Sequence, residues 1–169
     1  TFVALLLLFN YEAQASPLPD MSLPEISDSA RASVEISLLT CKPHEEVYSL
    51  YGHTAIRIVD TEGGRDMVVN WGVFDSSKPN FVYHFIMGET DYMMAMVSTE
   101  GFLREYYYYG SEVIQQKLNM TLQEKRNFLA ILDEYSKPEN RIYRYNFYYD
   151  NCTTRARDVI VKAMEGKVE

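Results

Sequence analysis

The sequence predicts an α+β domain built around an antiparallel sheet, and three observations carry that prediction. Runs rich in β-branched residues recur from Val34 onward, and two of them flank a Gly63-Gly64 turn in the manner of a hairpin. An amphipathic helix opens on the capping box Thr121-Leu122-Gln123-Glu124. An alternating aromatic run over 142–149 leads into Asp150-Asn151 and a last helical pattern that starts at Cys152. Several strands, then helix, strand and helix, is the order of a domain with helices segregated to the face of a sheet.

A length of 169 residues is that of one domain with room for a sizeable core. Hydrophobic residues make up 47% and aromatics 14%, including 14 tyrosines, which excludes a disordered composition. The net charge of −8, from 16 basic against 24 acidic residues, comes without a basic stripe and argues against nucleic acid as a partner. The same balance means that contact with a lipid surface must be apolar or aromatic rather than cationic.

Taken in order, the apolar run Phe2-Val3-Ala4-Leu5-Leu6-Leu7-Leu8-Phe9 precedes Ala13-Gln14-Ala15, an A-x-A cleavage signature. Residues 1–15 read as the tail of a secretory signal peptide, too short in apolar length to span a bilayer. Residues 16–33, with Pro17, Pro19 and Pro24, read as an extended linker, and 34–169 as the folded domain of an exported chain. A strand is expected over 34–40, a turn of helix over 45–50, and a hairpin over 53–59 and 67–73. An aromatic segment follows at 81–87, then a strand over 92–97, a helical start near Gly101, and a strand over 113–119. The 121 helix carries Phe128, Leu132 and Tyr135 on one stripe and stops at Lys137-Pro138. The strand over 142–149 would place Tyr143, Tyr145, Phe147 and Tyr149 on one side. The last helix buries Ala156, Val159, Ile160 and Ala163. Tyr106 to Tyr109 cannot all be buried on one face, so part of that patch should meet solvent, a ligand or a membrane.

The chemistry centres on Cys152. Just behind Asp150-Asn151, at a helix start, a thiol meets the positive end of the helix dipole and is most easily ionised. The alternative is a small buried hydrophobe, or a disulfide to Cys41, which an exported chain permits. His53, on the first strand of the hairpin, is the candidate base; its alternative is an imidazole simply satisfied within a strand. With the turn centred near Gly63, His53 lies opposite 70–73, and Asn70 can accept its ring N–H and orient it. Arg57 shares the His53 face and could hold a phosphate or carboxylate, while Tyr51 and Asn151 flank the pair; these three are the candidate substrate-binding residues. His84 packs among Phe81, Tyr83 and Phe85. The chain has no G-x-S-x-G, P-loop, G-x-G-x-x-G, H-E-x-x-H or C-x-x-C motif, and the spacing of His44, His53, His84 and the two cysteines gives little support for zinc. No cofactor or metal is expected.

Leu38-Leu39-Thr40-Cys41-Lys42-Pro43, Tyr51-Gly52-His53-Thr54-Ala55-Ile56-Arg57, Asn70-Trp71-Gly72-Val73-Phe74-Asp75, Pro79-Asn80-Phe81 and Asp150-Asn151-Cys152-Thr153-Thr154-Arg155 together resemble the Lnb-type N-terminal periplasmic domain family. That family is similar to circularly permuted papain-like hydrolases of the NlpC/P60 type, and its His-before-Cys order to that of lecithin:retinol acyltransferase. The resemblance implies an exported, membrane-associated bacterial enzyme with Cys152 as nucleophile and His53 as base. It implies acyl transfer from a phospholipid, through a thioester, to the N-terminal amine of a lipoprotein. Two rival readings remain at this point: a cell-wall cysteine peptidase or amidase on the same scaffold, and a non-catalytic binding module with Cys41 and Cys152 bridged.

Overall fold

The computed structural model describes residues 33–45, 49–75 and 79–165. The expected signal peptide (1–15) and all but the last residue of the expected linker (16–33) lie outside the described residues, as do 46–48 of the expected helical turn. Six strands form one open sheet: β1 (Val34–Cys41), β2 (His53–Asp60), β3 (Arg65–Phe74), β4 (Asp91–Ser98), β5 (Val113–Lys117) and β6 (Ile142–Arg144). Their spatial order is β5-β1-β2-β3-β4-β6, and every neighbouring pair is antiparallel. Among the described residues four helices accompany the sheet: α1 (Phe81–Ile86), α2 (Thr99–Tyr108), α3 (Leu122–Ser136) and α4 (Cys152–Ala163). The α+β class holds.

Strand alternation gives the sheet two apolar faces. Ile36, Ile56, Ile58, Val69, Trp71 and Met94 form one core with Phe128, Leu129 and Leu132 of α3 and Ala156, Val159, Ile160 and Ala163 of α4. The last helix therefore buries the stripe its spacing predicts. Leu39, Cys41, Ala55 and Val68 form a second, smaller core with Phe102 and Tyr106 of α2. Burial of one such aliphatic side chain contributes about 1.5–3 kcal/mol, so the two helix layers hold the sheet from both sides. The capping box at Thr121 forms as expected, with the Thr121 hydroxyl accepting from Glu124 N and the Glu124 carboxylate accepting from Thr121 N.

The hairpin turns over 61–64, where Gly63 N donates to Asp60 Oδ1 at 2.8 Å. Its register pairs Ile56 with Val69 and Asp60 with Arg65. The β3–β4 register then shifts between Asn70 and Val73, a bulge that re-aims the side chains beside it. At the other side of β2, Cys41 pairs with His53. The chain reaches His53 through Gly52 at φ +75°, where an added Cβ would stand 2.7 Å from Cys41 O.

One expectation needs correction. The strand expected over 142–149 ends at Arg144. Asn146 turns the chain, its Oδ1 accepting from Tyr148 N at 3.0 Å and Tyr149 N at 3.1 Å, while Asn146 and Asp150 bridge through both backbone bonds. A short amide side chain that serves its own backbone competes with the ladder, and here it wins. Tyr143 is therefore buried and Tyr149 is 83% exposed, so they do not share a face. The aromatic segment after Asn80 is the single helix α1, and α2 begins two residues ahead of Gly101, capped by Ser98 Oγ.

Candidate active site

Cys152 is the first residue of α4. Asn151 caps this helix: its Oδ1 accepts from Thr153 N and Thr154 N, each at 3.0 Å, and Thr154 Oγ1 accepts from Asn151 N at 2.8 Å. The cap leaves the amide of Cys152 itself as the helix-start donor it does not use. Arg155 fixes the turn before the cysteine through two bonds to Asp150, at 2.5 and 2.6 Å, and lies 4.2 Å over the Tyr143 ring. Tyr143 in turn donates to the Trp71 carbonyl at 2.6 Å, which ties the approach to α4 to β3.

His53 opens β2 and meets Asn70 of β3, Nε2 to Oδ1 at 2.8 Å. Gly72 N donates to the same Oδ1 at 2.7 Å, which identifies that atom as the amide oxygen. An oxygen can only accept, so Nε2 carries the proton and Nδ1 is the ring nitrogen left for Cys152. Burial acts against the His53 cation, but the hydrogen bond and charge of Cys152, together with Asn70, outweigh it and hold the imidazole above its ordinary pKa. Burial likewise acts against the Cys152 thiolate. The His53 hydrogen bond and charge, the Thr54 backbone and the Thr153 hydroxyl outweigh it and bring the thiol down to about 7. Both cysteines are free thiols, so the Cys41–Cys152 bridge is not formed.

A cavity of about 90 Å³ opens at this pair, lined on one part by Phe74, Tyr92 and Tyr145 and on another by His44, Glu105 and Tyr106. Of the residues singled out in the sequence, Cys152, His53, Asn70 and Tyr51 line it. Tyr51 stands at the rim, 79% exposed, with its ring 4.7 Å from Phe147. Asn151 is spent on the helix, its Nδ2 donating to the Phe147 carbonyl at 2.8 Å. Arg57 does not line the cavity; it is held by Asp66 at 2.6 and 2.8 Å and by Gln115 at 2.8 Å. His84 bonds Glu89 at 2.8 Å, edge-on to Tyr83.

Four participants escape a reading of the sequence alone. Gly72 lies so close that an added Cβ would stand 2.7 Å from His53 Cε1 and 3.1 Å from Asn70 Oδ1. Thr153 reaches across to Thr54, Oγ1 to Oγ1 at 2.9 Å, and joins the helix start to β2. Glu105 and His44 enter from α2 and the loop after β1. Only the Asn-Trp-Gly spacing carried a signal for the first of these.

No curated protein and no solved structure matches the chain. The model of one family does match, over residues 26–168, and that family is described as periplasmic. A match of that extent decides the membership: the chain belongs to the Lnb N-terminal periplasmic domain family.

Proposed function

We propose that this domain is a cysteine acyltransferase that moves a fatty acyl chain from a phospholipid to the N-terminal amine of a lipoprotein. The observation that carries the reading is the line Asn70–His53–Cys152, with the imidazole oriented so that its free nitrogen serves the sulfur. The Cys152 thiolate attacks the ester carbonyl. The C–O bond breaks, the lysophospholipid oxygen takes the proton from His53, and a thioester remains. The acceptor amine then attacks that thioester; its proton passes to His53 as the C–S bond breaks and the thiolate returns. The Cys152 amide, the helix-start donor outside the cap, is placed to receive the developing oxyanion.

The reading extends to the fold and to the membrane. A helix-borne cysteine facing a strand-borne histidine and its asparagine supports a permuted papain-like, NlpC/P60-like ancestry. Tyr51 at the rim is exposed, as are Phe147 against it and Tyr148 and Tyr149 beyond. The cavity admits the reacting group rather than a whole chain, so the acyl tails would stay in a lipid surface against that rim. Intact-mass measurement after incubation with phosphatidylethanolamine vesicles is the test. A fatty-acyl adduct that vanishes in Cys152→Ser is expected; cleavage of muropeptides with no adduct overturns the transferase in favour of a cell-wall hydrolase.

A further inference from the structure

The cavity has two groups of lining residues with different chemistry. Phe74, Tyr92 and Tyr145 form an aromatic group, with Tyr92 stacked on Tyr145 at 4.4 Å and 5.1 Å from Phe74. The other group contains Glu105, the one carboxylate among the described lining residues, which include no lysine or arginine. Glu105 comes from α2, and its side chain keeps 43% of its surface open. Beside it, the His44 imidazole is buried, 3.6 Å from Glu105 Oε1, and stacks at 4.4 Å on Tyr109 with an edge contact to Tyr106 at 5.8 Å. The field of Glu105 reaches the reactive pair, since it is among the charges acting on His53. A carboxylate at the wall of a cavity whose described lining holds no lysine or arginine, with tyrosine faces near it, attracts a small cation.

Within the acyl-transfer reading, on which this step rests, we propose that Glu105 forms the acceptor subsite and receives the primary ammonium group of the incoming amine. The ammonium pairs with the Glu105 carboxylate and loses one proton to solvent as it moves to the thioester. The neutral amine then attacks the Cys152 thioester: the C–N bond forms, the C–S bond breaks, and the second amine proton goes to His53. The aromatic group serves the acyl donor, so donor and acceptor meet at the sulfur from chemically distinct parts of one cavity.

The test uses a short-chain p-nitrophenyl ester as acyl donor, with the nitrophenolate burst reporting acylation of Cys152. Turnover is then measured with two nucleophiles: glycinamide, an α-amine mostly protonated at pH 7, and uncharged hydroxylamine. In Glu105→Gln any change in the burst is expected to be shared by both nucleophiles, while the ratio of KM for glycinamide to KM for hydroxylamine rises about five-fold, the scale of one partly exposed ion pair. Glu105→Asp, which keeps the charge, should recover part of that loss. An unchanged glycinamide KM in Glu105→Gln overturns the subsite, as does an equal loss with both nucleophiles. A wild-type protein with no burst overturns the acyl-transfer reading and the subsite with it.

Discussion

Cys41 and Cys152 are the same side chain in the same chain, and the fold gives them opposite characters. Cys41 closes β1, an interior strand, with His53 paired on one side and Val113 on the other. Burial pushes its thiol up to about 11, and the Tyr106 hydroxyl that bonds it does not reverse the effect. Cys152 opens α4, and although burial opposes its thiolate too, it comes down to about 7. Exposure alone therefore does not separate them, since desolvation works in the same direction at both. What separates them is an imidazole that can become a cation, held in place by Asn70, together with donors from Thr54 and Thr153. Reactivity here is a property of partners.

The sharpest way to break that comparison is to remove the partner. With His53 present, alkylation of Cys152 by iodoacetamide should rise with pH through a midpoint near 7, because the thiolate forms above a lowered pKa. His53→Ala should move that midpoint up toward the ordinary thiol value of about 8.5 and lower acyl transfer by on the order of 10²–10⁴-fold. A midpoint that stays near 7 would transfer the credit to the helix end and away from the histidine. Cys41 should stay unreactive throughout the neutral range in either protein.

A smaller intervention leaves both partners in place and shifts only their alignment. Gly72→Ala places a methyl group where His53 Cε1 would be 2.7 Å away and Asn70 Oδ1 3.1 Å, so the ring and its asparagine must shift from their present alignment or the β3 bulge must move. A displacement near 1 Å of a reacting group costs about 10²-fold in rate. The variant should lose about that much kcat/KM while its thermal unfolding shifts little, measured by circular dichroism. Full activity would show that the imidazole has freedom the hydrogen bonds to Asn70 do not suggest.

These variants also mark where the sequence was legible. The hairpin was readable because β-branched runs and a Gly-Gly turn determine the register, which brought His53 to the 70–73 stretch where Asn70 meets its ring. The cysteine helix was readable because Asn151 is a strong cap and the buried stripe has helical spacing. The 142–149 segment was misleading because its alternation is real, whereas the bond from Asn146 Oδ1 to the next amides is invisible in a hydrophobic pattern. Arg57 shows what a strand pattern leaves open: Asp66 and Gln115, one on the next strand and one two strands away, hold its guanidinium, and neither contact is written in the alternation. Glu105 lay outside any motif, since only tertiary packing of α2 brings it to the cavity.

The smallest effect is expected at the other cysteine, and it completes the contrast. Cys41 is 2% exposed in the smaller core, against Leu39, Ala55, Val68, Phe102 and Tyr106. Cys41→Ala removes one sulfur from that packing, a loss similar to a buried methylene and worth about 1 kcal/mol of stability. Denaturant unfolding should register that shift at unchanged slope, while the alkylation midpoint of Cys152 and the acylation burst stay where they were. If Cys41→Ala instead slowed the burst in step with His53→Ala, the buried thiol would be part of the reactive network. The β1–β2 pairing that sets it across from His53 would then be the route by which it acts.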